Sequence, residues 1–130
     1  MKQDTITIDE LVRQAEAIIQ DCFASSGRSD GGSTGRTQLS NAIDAINQSG
    51  SVAVFRNWLR YQTAREEFWR TRGSKGTLAE QIDKYVQSLH ERAPQESARY
   101  LTYFLGFMRR TLIALRYLDQ IPTEFKEATR

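Results

Sequence analysis

The sequence predicts an all-α, single-domain bundle of five or six helices. Apolar residues recur at helical spacing in nearly every segment. Capping residues stand ahead of those segments at Thr7, Thr37, Ser51 and Thr77. No run alternates apolar and polar residues as a half-buried strand would. At 130 residues the chain is one domain long and can bury about two-thirds of its unfolded surface, so it needs no disulfide or metal staple.

Thr7 with Glu10 reads as a capping box that opens a helix to about Ala24. Ile8, Leu11, Val12, Ala15, Ile18, Ile19 and Cys22 share its apolar side. Composition then changes abruptly. Residues 25–36 are rich in Gly and Ser and contain no apolar side chain, so a flexible loop within the domain is expected there.

Thr37 is expected to cap a short helix to about Gln48, with Leu39, Ala42, Ile43 and Ile46 on one face. Gly50 suits the position after that helix, and Ser51 caps the next, expected from Val52 to about Arg72. Val54, Phe55, Trp58, Tyr61, Phe68 and Trp69 make its expected apolar face. Arg65 falls inside that face, where a cation must pair, stack on a ring or reach a partner. Gly73 and Gly76 bracket a tight connection. Thr77 with Glu80 is a second capping box, opening a helix to about Arg92 with Leu78, Ile82, Tyr85, Val86 and Leu89 inward.

Pro94 is expected near the start of the last helix and Pro122 at its stop. That helix begins at Ser97 and is the most apolar in the chain. Leu101, Phe104, Leu105, Met108, Leu112 and Leu115 share one face, and Tyr100, Tyr103, Phe107, Ala114 and Leu118 widen it. So broad a face belongs to the central post of a bundle. The remaining band carries Arg99, Arg109, Arg110 and Arg116, and no Asp or Glu occurs from Ser97 to Leu118. The same helix therefore offers a core and an unneutralised basic stripe.

Composition narrows the function. One cysteine, Cys22, and one histidine, His90, forbid an intrachain disulfide, offer no metal-ligand cluster and fit a reducing compartment. Glu66 and Glu67 are adjacent and diverge by about 100° on a helix, so they are no paired-carboxylate site. The glycines at 27, 31, 32 and 35 lack the lysine and the strand context of a phosphate loop. No catalytic residue, metal or cofactor is expected, and the chain does not read as an enzyme. Neither a signal peptide nor a membrane span is apparent, since Arg109, Arg110 and Arg116 interrupt the apolar helix; a soluble, cytoplasmic protein is expected.

The formal net charge is +2, unevenly spread: residues 1–24 carry −3, whereas residues 25–76 carry +4. Arg outnumbers Lys fourteen to four, a bias that mere solubility does not require. The planar guanidinium fork suits phosphate oxygens and stacks on bases. A local basic patch of that kind can track a nucleic-acid backbone.

Thr37 to Ile43 (TQLSNAI), Val54 to Arg65 (VFRNWLRYQTAR) and Tyr100 to Gln120 (YLTYFLGFMRRTLIALRYLDQ) together resemble the small helical subunit of type III CRISPR effector complexes. The similarity runs from about Arg36 to Gln120. Thr37, Gln38 and Leu39 match the family's opening segment, and Ser40 stands at its basic position. The resemblance implies a single small all-α domain that is a non-catalytic part of an RNA-guided antiviral defence complex. It implies as partners guide RNA and target RNA, the other effector subunits, and copies of the chain itself stacked in the complex. Its basic surface would steady RNA through the backbone without reading sequence, and no membrane is involved. Arg60, Arg65, Arg109, Arg110 and Arg116 are the candidate RNA-binding residues, with Arg36 and Lys75 behind them. Two other readings fit the same chain: a helix-turn-helix DNA-binding protein built on the Gly50 turn, and a helical adaptor that binds only protein.

Overall fold

The computed structural model describes residues 5–24 and 32–118. Among the described residues five α-helices make up a single helical bundle. They are α1 (Ile8–Ile19), α2 (Gly32–Ser49), α3 (Val52–Arg65), α4 (Leu78–Arg92) and α5 (Ser97–Leu118). A π-helical turn, Gln20–Ala24, extends α1, and a 3-10 turn, Glu67–Arg70, follows α3. Between that turn and α4 lies a two-stranded antiparallel hairpin, β1 (Arg72–Gly73) and β2 (Gly76–Thr77), pairing Arg72 with Thr77 and Gly73 with Gly76. The hairpin is too short to show as alternation, and the sequence marks only the tight connection between Gly73 and Gly76.

α5 is the central post. Leu101, Phe104, Leu105, Met108, Leu112 and Leu115 are all buried, and α1, α2 and α4 pack around the helix. α3 closes the bundle against α2 and α4. The predicted inward residues of α4 and of α1 beyond its first turn are buried or half-buried, and Ile8, expected inward, is exposed. Each buried side chain of this kind stabilises the fold by about 1.5–3 kcal/mol, which is what the 3.6-residue spacing achieves.

Three caps act as the sequence suggests. Thr7 Oγ1 accepts from Glu10 N at 3.1 Å, Ser51 Oγ accepts from Val54 N at 3.1 Å, and Thr77 with Glu80 forms a complete capping box. The box at Thr7 is only half made. The Glu10 carboxylate turns away to accept from Arg92 Nη1 and Nη2, at 2.7 and 2.9 Å, and from the Tyr85 hydroxyl, stapling α1 to α4. Gly50, at φ +63°, makes the left-handed turn between α2 and α3.

Four expectations are corrected. α2 begins at Gly32, not at Thr37, so the loop expected over 25–36 gives its last five residues to a helix; residues 25–31 lie outside the described residues. Gly35 is buried there, and tertiary packing carries a helical start that local propensity opposes.

α3 stops at Arg65, where the sequence suggests a helix to Arg72. Glu66 is extended, and the chain folds back so that Phe68 stacks on Phe23 (ring centroids 5.7 Å apart) and Trp69 is fully buried. Trp69 Nε1 donates to Gln38 Oε1 at 3.0 Å, which satisfies both buried groups. Arg70 Nη1 then donates to the carbonyls of Thr63 and Ala64, at 2.7 and 3.3 Å, and caps the broken helix end.

The break also changes the face of α3. Its buried stripe is Val52, Phe55 and Leu59, while Val54 and Tyr61, expected inward, are 52% and 58% exposed. Trp58 is half-buried against Phe55 and Trp69.

Pro94 lies three residues ahead of α5, where its carbonyl accepts from Ser97 Oγ at 3.2 Å. The expected stop at Pro122 lies outside the described residues.

Candidate nucleic-acid interface

Which arginines are free to meet a phosphate depends on where the acids end up. Three ion pairs form among the described residues. Arg56 is held by Asp83 through two bonds, Nε to Oδ1 at 2.7 Å and Nη2 to Oδ2 at 2.9 Å, and this contact raises the Arg56 pKa. Arg92 is held by Glu10, whose carboxyl that guanidinium lowers, against the opposing effect of burial. Arg99 pairs with Glu96 at 2.9 Å. Arg99 is therefore not part of an unneutralised stripe: its partner lies one residue upstream of the acid-free segment.

The candidate residues are distributed differently. Arg36 on α2, Arg60 and Arg65 on α3, and Arg109 and Arg110 on α5 have no carboxylate partner among the described residues. Arg36 and Arg109 are half-buried, on two helices packed against each other, and the Nε of each is enclosed without an acceptor. Arg65 lies with Cζ 5.3 Å from the centre of the Tyr61 ring, and Arg110 with Cζ 5.7 Å from that of Phe107. Of the options open to Arg65, stacking on a ring is the one realised, on an exposed surface and not inside an aromatic face.

Lys75 is exposed at the hairpin tip. Its backbone N–H, not its ammonium, is what the fold uses, donating to Asp21 Oδ2 at 3.1 Å. Arg116 belongs to α5, but its side chain is outside the described residues. The seven candidates thus sit on α2, α3, α5 and the hairpin, and are not gathered on one element.

One concave feature gathers basic groups. An open groove of about 580 Å³ lies between α3, the hairpin and α4. Arg60, Arg70 and Arg72 line it, together with Leu59, Glu80 and Asp83. Arg72 is the residue that sequence reasoning missed. Its signal was its place directly before the tight Gly73–Gly76 connection, where it opens a hairpin strand and does not end the helix expected to reach it.

The described residues contain no group of three or more metal-ligating side chains, and no described helix is long and apolar enough to cross a membrane. Cys22 is buried, and burial pushes its thiol up to about 12, so it is un-ionised at neutral pH. His90 is exposed, with Nδ1 3.2 Å from Ser97 Oγ. Comparison with protein-family models, with curated proteins and with solved structures returns no match for this chain.

Proposed function

We propose that this chain is a non-catalytic small subunit of a type III CRISPR RNA-guided effector complex, and that it contacts the guide or target RNA through the phosphate backbone. The observation that carries the reading is the division of the arginines. Asp83, Glu10 and Glu96 take up Arg56, Arg92 and Arg99, whereas Arg36, Arg60, Arg65, Arg109 and Arg110 have no acid among the described residues. Guanidinium groups left without carboxylates on several helices suit phosphates and carry no base-reading geometry. The order of the Thr37–Ile43, Val54–Arg65 and Tyr100–Gln120 segments supplies the complex.

Binding of the full chain to unrelated RNAs across a salt series tests it. Equal affinity for all sequences, falling linearly as log salt rises, is the expected result. Indifference to salt would overturn it in favour of a protein-only adaptor. Co-elution with reconstituted type III effector subunits tests the assembly part of the reading.

The outward face of α3, with exposed Val54, Asn57, Tyr61 and Arg65 following the Gly50 turn, favours a second reading as a helix-turn-helix DNA binder. Enrichment of a defined duplex from a random pool would decide for it.

A further inference from the structure

The groove between α3 and α4 owes its shape to one carboxylate far away in the chain. Asp21, in the π-helical extension of α1, accepts at Oδ1 from Ser74 N (3.1 Å) and Ser74 Oγ (2.6 Å). Its Oδ2 accepts from Lys75 N (3.1 Å) and Gln81 Nε2 (2.9 Å). Gly73 allows this approach, because a Cβ there would overlap the Asp21 carboxylate. The hairpin is therefore fixed to α1 and α4, and Arg72 on β1 stands on the wall facing α3.

Both acids that line the groove are already engaged. Asp83 is held in the two-bond fork with Arg56. Glu80 accepts from Thr77 N at 2.9 Å, a bond that lowers its pKa; the Arg72 charge acts on it as well. Arg70 spends Nη1 on the carbonyls of Thr63 and Ala64 and adds charge without a free fork. Arg60 and Arg72 remain, exposed and without ion pairs among the described residues, above a floor that includes Leu59 and Ala79. At about 580 Å³ the groove is within the range of about 300–1,000 Å³ typical of small-ligand sites.

We infer that this groove seats a phosphodiester of a single RNA strand, with Arg60 and Arg72 as the two phosphate donors from opposite walls and the sugar lying on Leu59 and Ala79. The inference rests on the RNA reading above and deepens it by choosing the site. Arg60, Arg70 and Arg72 outnumber the lining acids Glu80 and Asp83, and Asp83 is already paired with Arg56, so the groove matches a phosphate in charge and two guanidinium forks match its oxygens.

The test is a nitrogen-15 NMR titration of the full chain at low salt with an oligouridylate. Arg60 and Arg72 Nε–Hε signals and the amides of Thr63 and Ala79 are expected to move together. The double variant Arg60→Gln/Arg72→Gln is expected to lose those shifts and to flatten the slope of log affinity against log salt by about 0.7, the value for the one phosphate that both side chains hold. Shifts confined to α2 and α5, with an unchanged slope in the double variant, overturn the groove and leave the RNA reading standing. No shift anywhere overturns both. Uridine monophosphate is the second arm: if it fills the groove as tightly as the oligouridylate, the site serves a free nucleotide and the strand seat is wrong.

Discussion

Arg56 and Asp83 clasp each other across α3 and α4 with both guanidinium–carboxylate bonds made, at 2.7 and 2.9 Å. The pair does two things: it ties the helices together, and it keeps a carboxylate that lines the basic groove from opposing a phosphate. Arg56→Gln should lower stability by about 1 kcal/mol, as a partly exposed pair contributes little. It should weaken RNA binding more than that loss explains, because Asp83 is released. Adding Asp83→Asn should recover affinity; anisotropy on the single and double variants, alongside urea unfolding, reads both effects.

Asp21 controls the acid limit of the hairpin. Burial would raise its carboxyl, but the bonds from Ser74, Gln81 and Lys75 prevail and hold it at about 2, against an ordinary 3.8. A carboxyl so depressed stabilises the fold fully above its unfolded value, and that contribution is lost as pH falls from about 3.8 to about 2. Asp21→Asn should remove this part of the acid transition and leave the part due to Glu10, also depressed. Amide exchange at Ser74 and Lys75 should accelerate in the variant at neutral pH.

The break after α3 depends on one buried bond. Trp69→Phe keeps the ring packed but leaves Gln38 Oε1 without its donor, a loss of about 1–3 kcal/mol. Combining it with Gln38→Leu should restore part of that stability. Equal instability of the single and double variants in chemical denaturation would count against the bond.

Arg65 stacks on Tyr61, and both are exposed. Arg65→Lys keeps the charge and loses the planar fork, so thermal stability should change by no more than about 1 kcal/mol. RNA affinity should nevertheless fall. If both stay at the wild-type value, Arg65 has no part in binding.

On α5, Arg109, Arg110 and Arg116 replaced together by Gln should flatten the salt dependence of RNA binding by about 2 on the log–log plot. The loss should be the same for unrelated sequences, with the helical circular dichroism retained. A loss confined to one RNA sequence would indicate base readout, which backbone contact does not produce.

The sequence by itself determined that the chain is a helical bundle, where α3 and α4 begin, and which face of the central helix is inside. These follow from local information: the caps at Ser51 and Thr77 act within three residues, and Leu101 to Leu115 show their spacing within one segment. Tertiary structure decided what pairing over long separations controls. The helix expected to Arg72 ends at Arg65 because Trp69 finds Gln38 and Phe68 finds Phe23, partners with no local trace. The basic stripe read on α5 loses Arg99 to Glu96, which stands just outside the window that looked acid-free. Arg56 and Arg92 are neutralised by acids on other elements, and Arg60 and Arg72 converge on one groove because Asp21 pins a hairpin some fifty residues away. Periodicity and capping reach one or two turns along a chain; charge neutralisation and concavity depend on which turns meet in space.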